Sequence, residues 1–276
     1  MAASATTRQG RAAVPDPGDD SQLVLAVVRA FEVLEAFRPN GPPLGNAELA
    51  ELTGLPKPTV SRLTYTLMRS GYLTFDRRRR EYELGPRAVA LGSIALSRLD
   101  VRGVALPLMD ELSQSGFNVG LGIRDDAVMV YTDACQGSAL VGLRLYAGSR
   151  VPIMGSAMGT AYLTTLAHAE RTALLDQLQP RYADRWDSLM RDLDRALGDI
   201  GTLGYCVSLG GWHADINGVA APIVVPSLHG PYVVNVGGPA YMLTEETIHR
   251  TVGPGVARLA RTVRAALSPV EVPDAH

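Results

Sequence analysis

Between residues 21 and 37 apolar side chains recur every three or four positions (Val24, Val27, Val28, Phe31, Leu34), opposite a charged stripe of Arg29, Glu32 and Glu35. That spacing predicts an amphipathic helix, ended by RPNGPP at 38–43. A second, short helix is predicted from Asn46 as its cap, with Leu49 and Leu52 inward and Gly54 as its stop. After the turn GLP, a third runs from about Lys57 to Ser70, with Val60, Leu63, Leu67 and Met68 on one side and Gly71 beyond its end. Tyr72–Asp76 and Glu81–Leu84 then read as two short strands around a tip of four arginines, a β-hairpin. Three helices and a hairpin within residues 21–85 make a winged helix-turn-helix pattern.

Pro86 suits the first turn of another helix, to about Leu99, read as a connector over 86–100. Beyond it, residues 101–269 read as mixed helix and strand. A helix is predicted at 104–115, where Val104, Leu108 and Leu112 form a stripe fit for a core or a dimer interface. Strands follow near 118–124, 127–133 and 139–146, and a helix opens near Ser156. Helices near 169–178 and 187–200 come next, the last with Asp187 as its cap and Leu189, Leu193, Leu197 and Ile200 inward. Three more strands are expected near 204–209, 217–225 and 232–237. The final helix starts after Thr244, has Glu245 and Glu246 at its positive end, and should kink at Pro254. Strands in runs with helices on one side predict an antiparallel sheet and an α+β class. Residues 1–20 and 270–276 read as tails.

The composition agrees with two packed domains. In 276 residues 46% are hydrophobic and 20% charged, enough to bury a sizeable core, which excludes disorder over the whole length. The longest apolar stretches, such as Val219–Val225, fall far short of the roughly 20 residues that span a bilayer. No apolar segment near the N-terminus resembles a secretory signal. Cys135 and Cys206 cannot build a disulfide framework or an all-cysteine zinc site, and a reducing cytoplasm fits. Charge is distributed unevenly. Residues 57–87 hold one Lys and seven Arg against Asp76, Glu81 and Glu83, a net of +5 in a chain of −2, so the rest carries −7. A basic segment in an acidic protein points toward nucleic acid.

The third helix carries that reading furthest. With Val60, Leu63 and Leu67 inward, Lys57, Thr59, Ser61, Arg62, Thr66 and Arg69 point elsewhere. Arg pairs with guanine, and Thr and Ser can bond bases or phosphates. Lys57, the chain's one lysine, stands at the helix N-terminus, where backbone N–H groups also attract phosphate. Arg77, Arg78, Arg79 and Arg80 suit backbone or minor-groove contact. Each feature alone is what a solvated surface would also show; their order along the chain gives them weight.

GLPKPTVSRLTYTLMRSGYLTFD, followed by YELGPR, resembles the DNA-binding domain of isocitrate-lyase-regulator (IclR) type transcriptional regulators. VPIMGSAMGTAYL, GY at 204–205, NGVAAPI at 217–223 and VNVGGP at 234–239 occur in that family's order, so the resemblance covers about residues 22–267. It implies a winged helix-turn-helix domain, a linker helix and a GAF-like effector domain. It further implies homodimers, commonly paired into tetramers, on palindromic double-stranded operators, with a small organic effector and no cofactor. By position the family's effector contacts fall on Leu140, Leu143, Ala157, Met158, Ser208, Gly218, Asn235 and Gly237. In the glyoxylate-responsive branch the position of Ser208 is acidic, that of Gly218 cysteine, and those of Asn235 and Gly237 serine, while Thr160 replaces a common lysine. The resemblance thus implies a roomier pocket and a ligand other than a two-carbon keto acid, larger or aromatic. Independently of it, the small residues Gly155–Gly159 opening a helix leave N–H groups accessible to an anion; close packing on the sheet explains them equally well. Trp212 and His213, between two of these strands, are candidates to line or lid the pocket, or simply a packed surface loop.

Other motifs lead elsewhere or nowhere. His168, His213, His229 and His249 lack metal-ligand spacing. His213 and Asp215 could form a base and its orienter, but no nucleophile elbow accompanies them. GLGIR at 120–124 and GGW at 210–212 lack phosphate-loop spacing, and both thiols read as structural. A non-enzymatic, ligand-responsive regulator is therefore expected. An enzyme domain fused to a binding module, and a DNA-binding protein whose second domain only oligomerises, remain alternatives.

Overall fold

A computed structural model of the protein describes residues 23–138, 145–226, 228 and 230–268. They divide into two compact units, with the boundary between Val89 and Ala90; Arg38–Gly41 group with the second.

The first unit contains α1 (Leu25–Glu35), α2 (Asn46–Thr53), α3 (Lys57–Arg69) and a two-stranded antiparallel sheet of β1 (Leu73–Asp76) and β2 (Glu81–Leu84). Its core joins Val33, Leu49, Val60, Leu67, Leu73 and Tyr82. Phe75 faces Tyr82 across the hairpin, and Leu44 pairs with Tyr82 through an isolated bridge. The structure corrects the sequence on α1. Of the apolar face Val24, Val27, Val28, Phe31 and Leu34, only Leu34 packs on the core, beside the buried Val33 with Ala30 and Phe37, and Val24, Val27 and Phe31 are exposed. The helix is apolar on two sides, and periodicity cannot tell which side the unit's own core covers. Nor is Asn46 the cap of α2. Gly45 takes that position, and the Asn46 amide oxygen instead accepts from the Thr64 hydroxyl on α3 at 3.1 Å.

α4 (Pro86–Ser97) spans the boundary and has no buried residue. The second unit follows with α5 (Asp100–Ser113), β3 (Asn118–Asp125), β4 (Val128–Cys135), β5 (Arg150–Pro152), α6 (Ala157–Thr164), α7 (His168–Leu178) and α8 (Trp186–Thr202). Then come β6 (Cys206–Leu209), β7 (Ile216–Ile223), β8 (Tyr232–Pro239), the short α9 (Glu245–Thr247) and α10 (Gly253–Leu267). The strands form one antiparallel sheet in the order β5-β4-β3-β8-β7-β6. Helices cover both of its faces, not one. α5 and α10 pack on Val119, Leu121, Val219, Ala221, Val234 and Val236. α6, α7 and α8 pack on Met129, Tyr131, Val151, Ala220 and Val233. The nearly continuous apolar runs of β7 and β8 accordingly suit strands buried on both sides.

Smaller differences have local causes. The strand expected at 139–146 lies mostly outside the described residues; β5 instead occupies the sheet edge. Asp187 is in the first turn of α8, with Arg185 at the cap. In α5 the buried stripe is Val101, Ala105 and Met109, and Val104, Leu108 and Leu112 are half-buried beside it. The kink expected at Pro254 takes the form of a π-helical turn, Ile248–Val252, immediately before α10, which accommodates a residue without an N–H.

Candidate functional site

In the first unit α3 buries Val60, Thr64 and Leu67 and turns Lys57, Ser61, Arg62 and Thr66 to solvent, with Thr59 half-buried. Pro58 at the second helical position and Gly71 (φ +77°) beyond the end bound the helix. Thr66 donates its hydroxyl to the Arg62 carbonyl at 2.9 Å, which leaves only its lone pairs for an outside partner. Beside α3 the hairpin tip exposes Arg77, Arg78, Arg79 and Arg80. Their side chains do not hold the turn. The Asp76 carboxylate accepts from the Arg78 N–H at 2.7 Å, and the Asp76 carbonyl from the Arg80 N–H at 2.8 Å. The tip is thus four cations on a preformed turn.

In the second unit a cavity of about 30 Å³ lies between the sheet and the start of α6. Six of the residues carried over from the family line it: Ala157, Met158, Ser208, Gly218, Asn235 and Gly237. Leu140 and Leu143 lie outside the described residues. Tyr131, Trp212 and Asn217 also line it and were not among those six. Tyr131 sits in a strand with no local marker of function, so nothing in its neighbourhood singled it out. His213 is exposed, 4.0 Å from Asp215, and is not part of the lining. The extra room expected from small residues is not present as void. At about 30 Å³ the space suits roughly one water molecule, because Tyr131, Met158 and Trp212 close in.

The glycines of GLGIR make those approaches possible. A Cβ at Gly120 would overlap the Tyr131 ring, and one at Gly122 would lie 2.6 Å from the Met158 sulfur. At the helix start Gly155 has φ +86°. Ser156 caps α6, its hydroxyl oxygen accepting from the Gly159 N–H at 3.0 Å. The Ala157 and Met158 N–H groups have no carbonyl one turn back, and they stand at the positive end of the helix dipole. Ser208 is occupied, donating to the Gly155 carbonyl at 2.6 Å. So is Asn217, which accepts from the Gly210 N–H and donates to the Leu243 carbonyl.

Asn235 is different. It is 7% exposed and donates through Nδ2 to the Tyr131 hydroxyl at 2.9 Å, while its Oδ1 is the buried side-chain atom without a partner among the described residues. An unpaired buried acceptor costs about 1–3 kcal/mol. Reversing the amide keeps the tyrosine contact, with the phenol donating, and turns a donor inward instead. Burial raises the Tyr131 phenol above its ordinary range, so it stays protonated. Burial likewise pushes the Cys206 thiol up to about 12, and raises the half-buried Cys135, as structural thiols require.

On the far side of the sheet Arg102, in the first turn of α5, makes a bidentate pair with buried Asp133 on β4 (Nη2 to Oδ1 2.7 Å). A β-bulge separates that pair from the cavity. Leu121 pairs with Asp133 and Gly122 with Tyr131, leaving Thr132 as the extra residue. Among the described residues no group of His, Cys, Asp and Glu is placed to hold a metal ion, and no helix is long and apolar enough to cross a membrane.

The comparisons with known proteins bear on both units. Residues 26–77 match the IclR helix-turn-helix domain, and residues 93–265 match the C-terminal domain of bacterial IclR transcriptional regulators. The chain is 32% identical over 254 residues to the HTH-type transcriptional regulator TsaQ1/TsaQ2 of Comamonas testosteroni, covering 91% of each. It superposes on an IclR family transcriptional regulator from Brucella abortus with a TM-score of 0.74 and 41% identity, covering 93% of this chain and 96% of the other. An IclR homolog from Microbacterium hydrocarbonoxydans, solved in complex with 4-hydroxybenzoate, shares the fold at a TM-score of 0.69 and 22% identity, over 88% and 98% of the two chains.

Proposed function

The chain belongs to the IclR family of bacterial transcriptional regulators and carries its DNA-binding helix-turn-helix, and from that premise we propose that it is a ligand-responsive, sequence-specific regulator that senses a small organic acid larger than a two-carbon keto acid. The observation that carries this reading is α3, which buries its apolar side and turns Lys57, Ser61 and Arg62 outward beside a basic hairpin tip. Arg62, Thr59 and Ser61 read base edges; Lys57 and Arg77–Arg80 hold phosphates, and Thr66 joins them by turning its hydroxyl from the Arg62 carbonyl to the phosphate.

The regulator acts in the cytoplasm as a homodimer, with a dimer of dimers as the larger assembly. Support comes from apolar surface that one copy leaves uncovered: Val24, Val27 and Phe31 near α1, and Val89, Leu91 and Ile94 on α4. A two-fold pair sets two recognition helices in successive major grooves, roughly 34 Å apart.

The effector site is the cavity at the start of α6. The N–H groups of Ala157 and Met158 fit a carboxylate, and the Asn235 amide fits a polar group at the ligand's other end. Among the described residues no charged side chain lines the cavity; those donors and the apolar surfaces of Met158 and Trp212 are what they offer a ligand. 4-Hydroxybenzoate, the ligand of the Microbacterium homolog, has both ends and is the first compound to try. Binding it demands that the walls move. Ligand shifts operator affinity only by as much as it prefers one domain arrangement over another.

Duplexes selected from a random pool test the reading. Arg62→Ala is expected to weaken binding to the selected sequence by about 1–3 kcal/mol and to relax its specificity. Equal affinity of the parent protein for selected and scrambled DNA would overturn base reading. A thermal-shift panel of organic acids should give a stabilising compound whose effect on operator binding Asn235→Leu abolishes, with operator affinity itself intact. No shift with any compound would favour a second unit that only oligomerises.

A further inference from the structure

Tyr65 is 59% exposed, and it is the one aromatic ring on α3. Its direction is fixed from the other side of the helix. Thr64 is fully buried and donates to the Asn46 amide oxygen at 3.1 Å, and Val60 and Leu67 are buried on the same side. This sets the roll of α3 against α2. At about 100° per residue, Tyr65 then lies between Ser61 and Arg62 around the helix, one turn further along, with Arg69 one turn beyond it. It lies on the outward face, on the Ser61 side of Arg62 and Arg69; its exposed neighbours Ser61, Arg62 and Arg69 are polar or cationic, and the half-buried Met68 borders it toward the core. We propose that Tyr65 reads thymine, its ring packing on the C5-methyl group of a base next to the one that Arg62 contacts.

The chemistry favours a methyl group over a phosphate. Thymine's methyl is the apolar group that the major groove displays, and apolar side chains recognise it by contact. Phosphates lie at the edges of the groove, and Tyr65 points between Ser61 and Arg62, two positions that face the bases in this reading. Toward its C-terminal half a recognition helix draws away from the base edges, and at Tyr65, in the third turn of α3, a long, flat side chain can still reach them where a short one cannot. In free protein the ring stays in water, so docking gains the burial of its apolar surface.

The inference rests on the DNA-binding reading, and the experiment separates the two. Duplexes are selected with the parent protein, and each thymine of the selected sequence is replaced by uracil, which removes only the methyl group. At one thymine per half-site, removal is expected to weaken the parent protein roughly four-fold. Tyr65→Phe should show the same loss at the same position. Tyr65→Ala, at an exposed site where alanine favours the helix, should bind more weakly and be indifferent to that methyl. The same uracil profile in Tyr65→Ala as in the parent would overturn the proposal, as would a Tyr65→Phe variant indifferent to uracil, which would assign the role to the hydroxyl. A parent protein that selects no sequence at all would overturn the DNA-binding reading itself.

Discussion

Asp133 is a carboxylate held almost out of water, and the Arg102 guanidinium makes that possible by meeting it with both Nε and Nη2. The same pair raises the Arg102 pKa, the hydrogen bond to Asp133 being the main cause. Removing one partner strands a buried charge, which is more damaging than losing the pair. Arg102→Ala is therefore expected to lower the stability of the second unit by about 3 kcal/mol in denaturant titration, and adding Asp133→Asn should restore part of that loss. A neutral Arg102→Ala would mean that water already reaches the carboxylate. Individual residues were also where the sequence was hardest to read. Arg62 and Lys57 stood out by type and spacing. Asn46 fits equally as a helix cap or as the partner of Thr64, and only the packing of α2 on α3 decides between them. The buried Thr64 breaks the apolar pattern of α3 without moving the helix, since Asn46 satisfies its hydroxyl.

Single elements were more legible. α3 begins and ends where Pro58 and Gly71 require, and the hairpin follows from two short runs around a polar tip. α1 was legible as a helix, but its two apolar sides concealed which one faces inward. β5 has three residues, too few for any period to show. The cavity residues were located through family likeness, not local pattern, because Ser208, Gly218 and Asn235 come from three strands and meet only once the sheet is formed. The hairpin tip allows a prediction at this scale. Backbone N–H groups and Asp76 maintain the turn, so its arginine side chains can be changed without loss of fold. Arg80 is best kept, since its φ is +61°. Changing Arg77, Arg78 and Arg79 to serine should lower the slope of log affinity against log salt by roughly 2–3 for each half-site while the selected sequence stays the same. An unchanged slope would place the tip away from the duplex.

At the scale of the molecule, the uncovered apolar residues of α1 and α4 are apolar surface of the kind that a partner covers. If the proposed homodimer forms through these residues, glutamate at both Val89 and Ile94 should convert it to monomers at micromolar concentration, measured by sedimentation, and should lower operator affinity sharply, because two linked half-sites would become one. Ala90 onward should keep its structure, as α4 has no buried side chain to lose. Dimers persisting at unchanged strength would put the interface elsewhere.

The extra residue at Thr132 has its own consequence. Strict alternation would send Tyr131 and Asp133 to the same side of the sheet; the bulge sends one toward the cavity and the other toward α5. Two neighbouring points of one strand therefore grip opposite layers of the molecule. A group that displaces the phenol therefore acts two peptide bonds away from the carboxylate that anchors α5, the helix that follows α4.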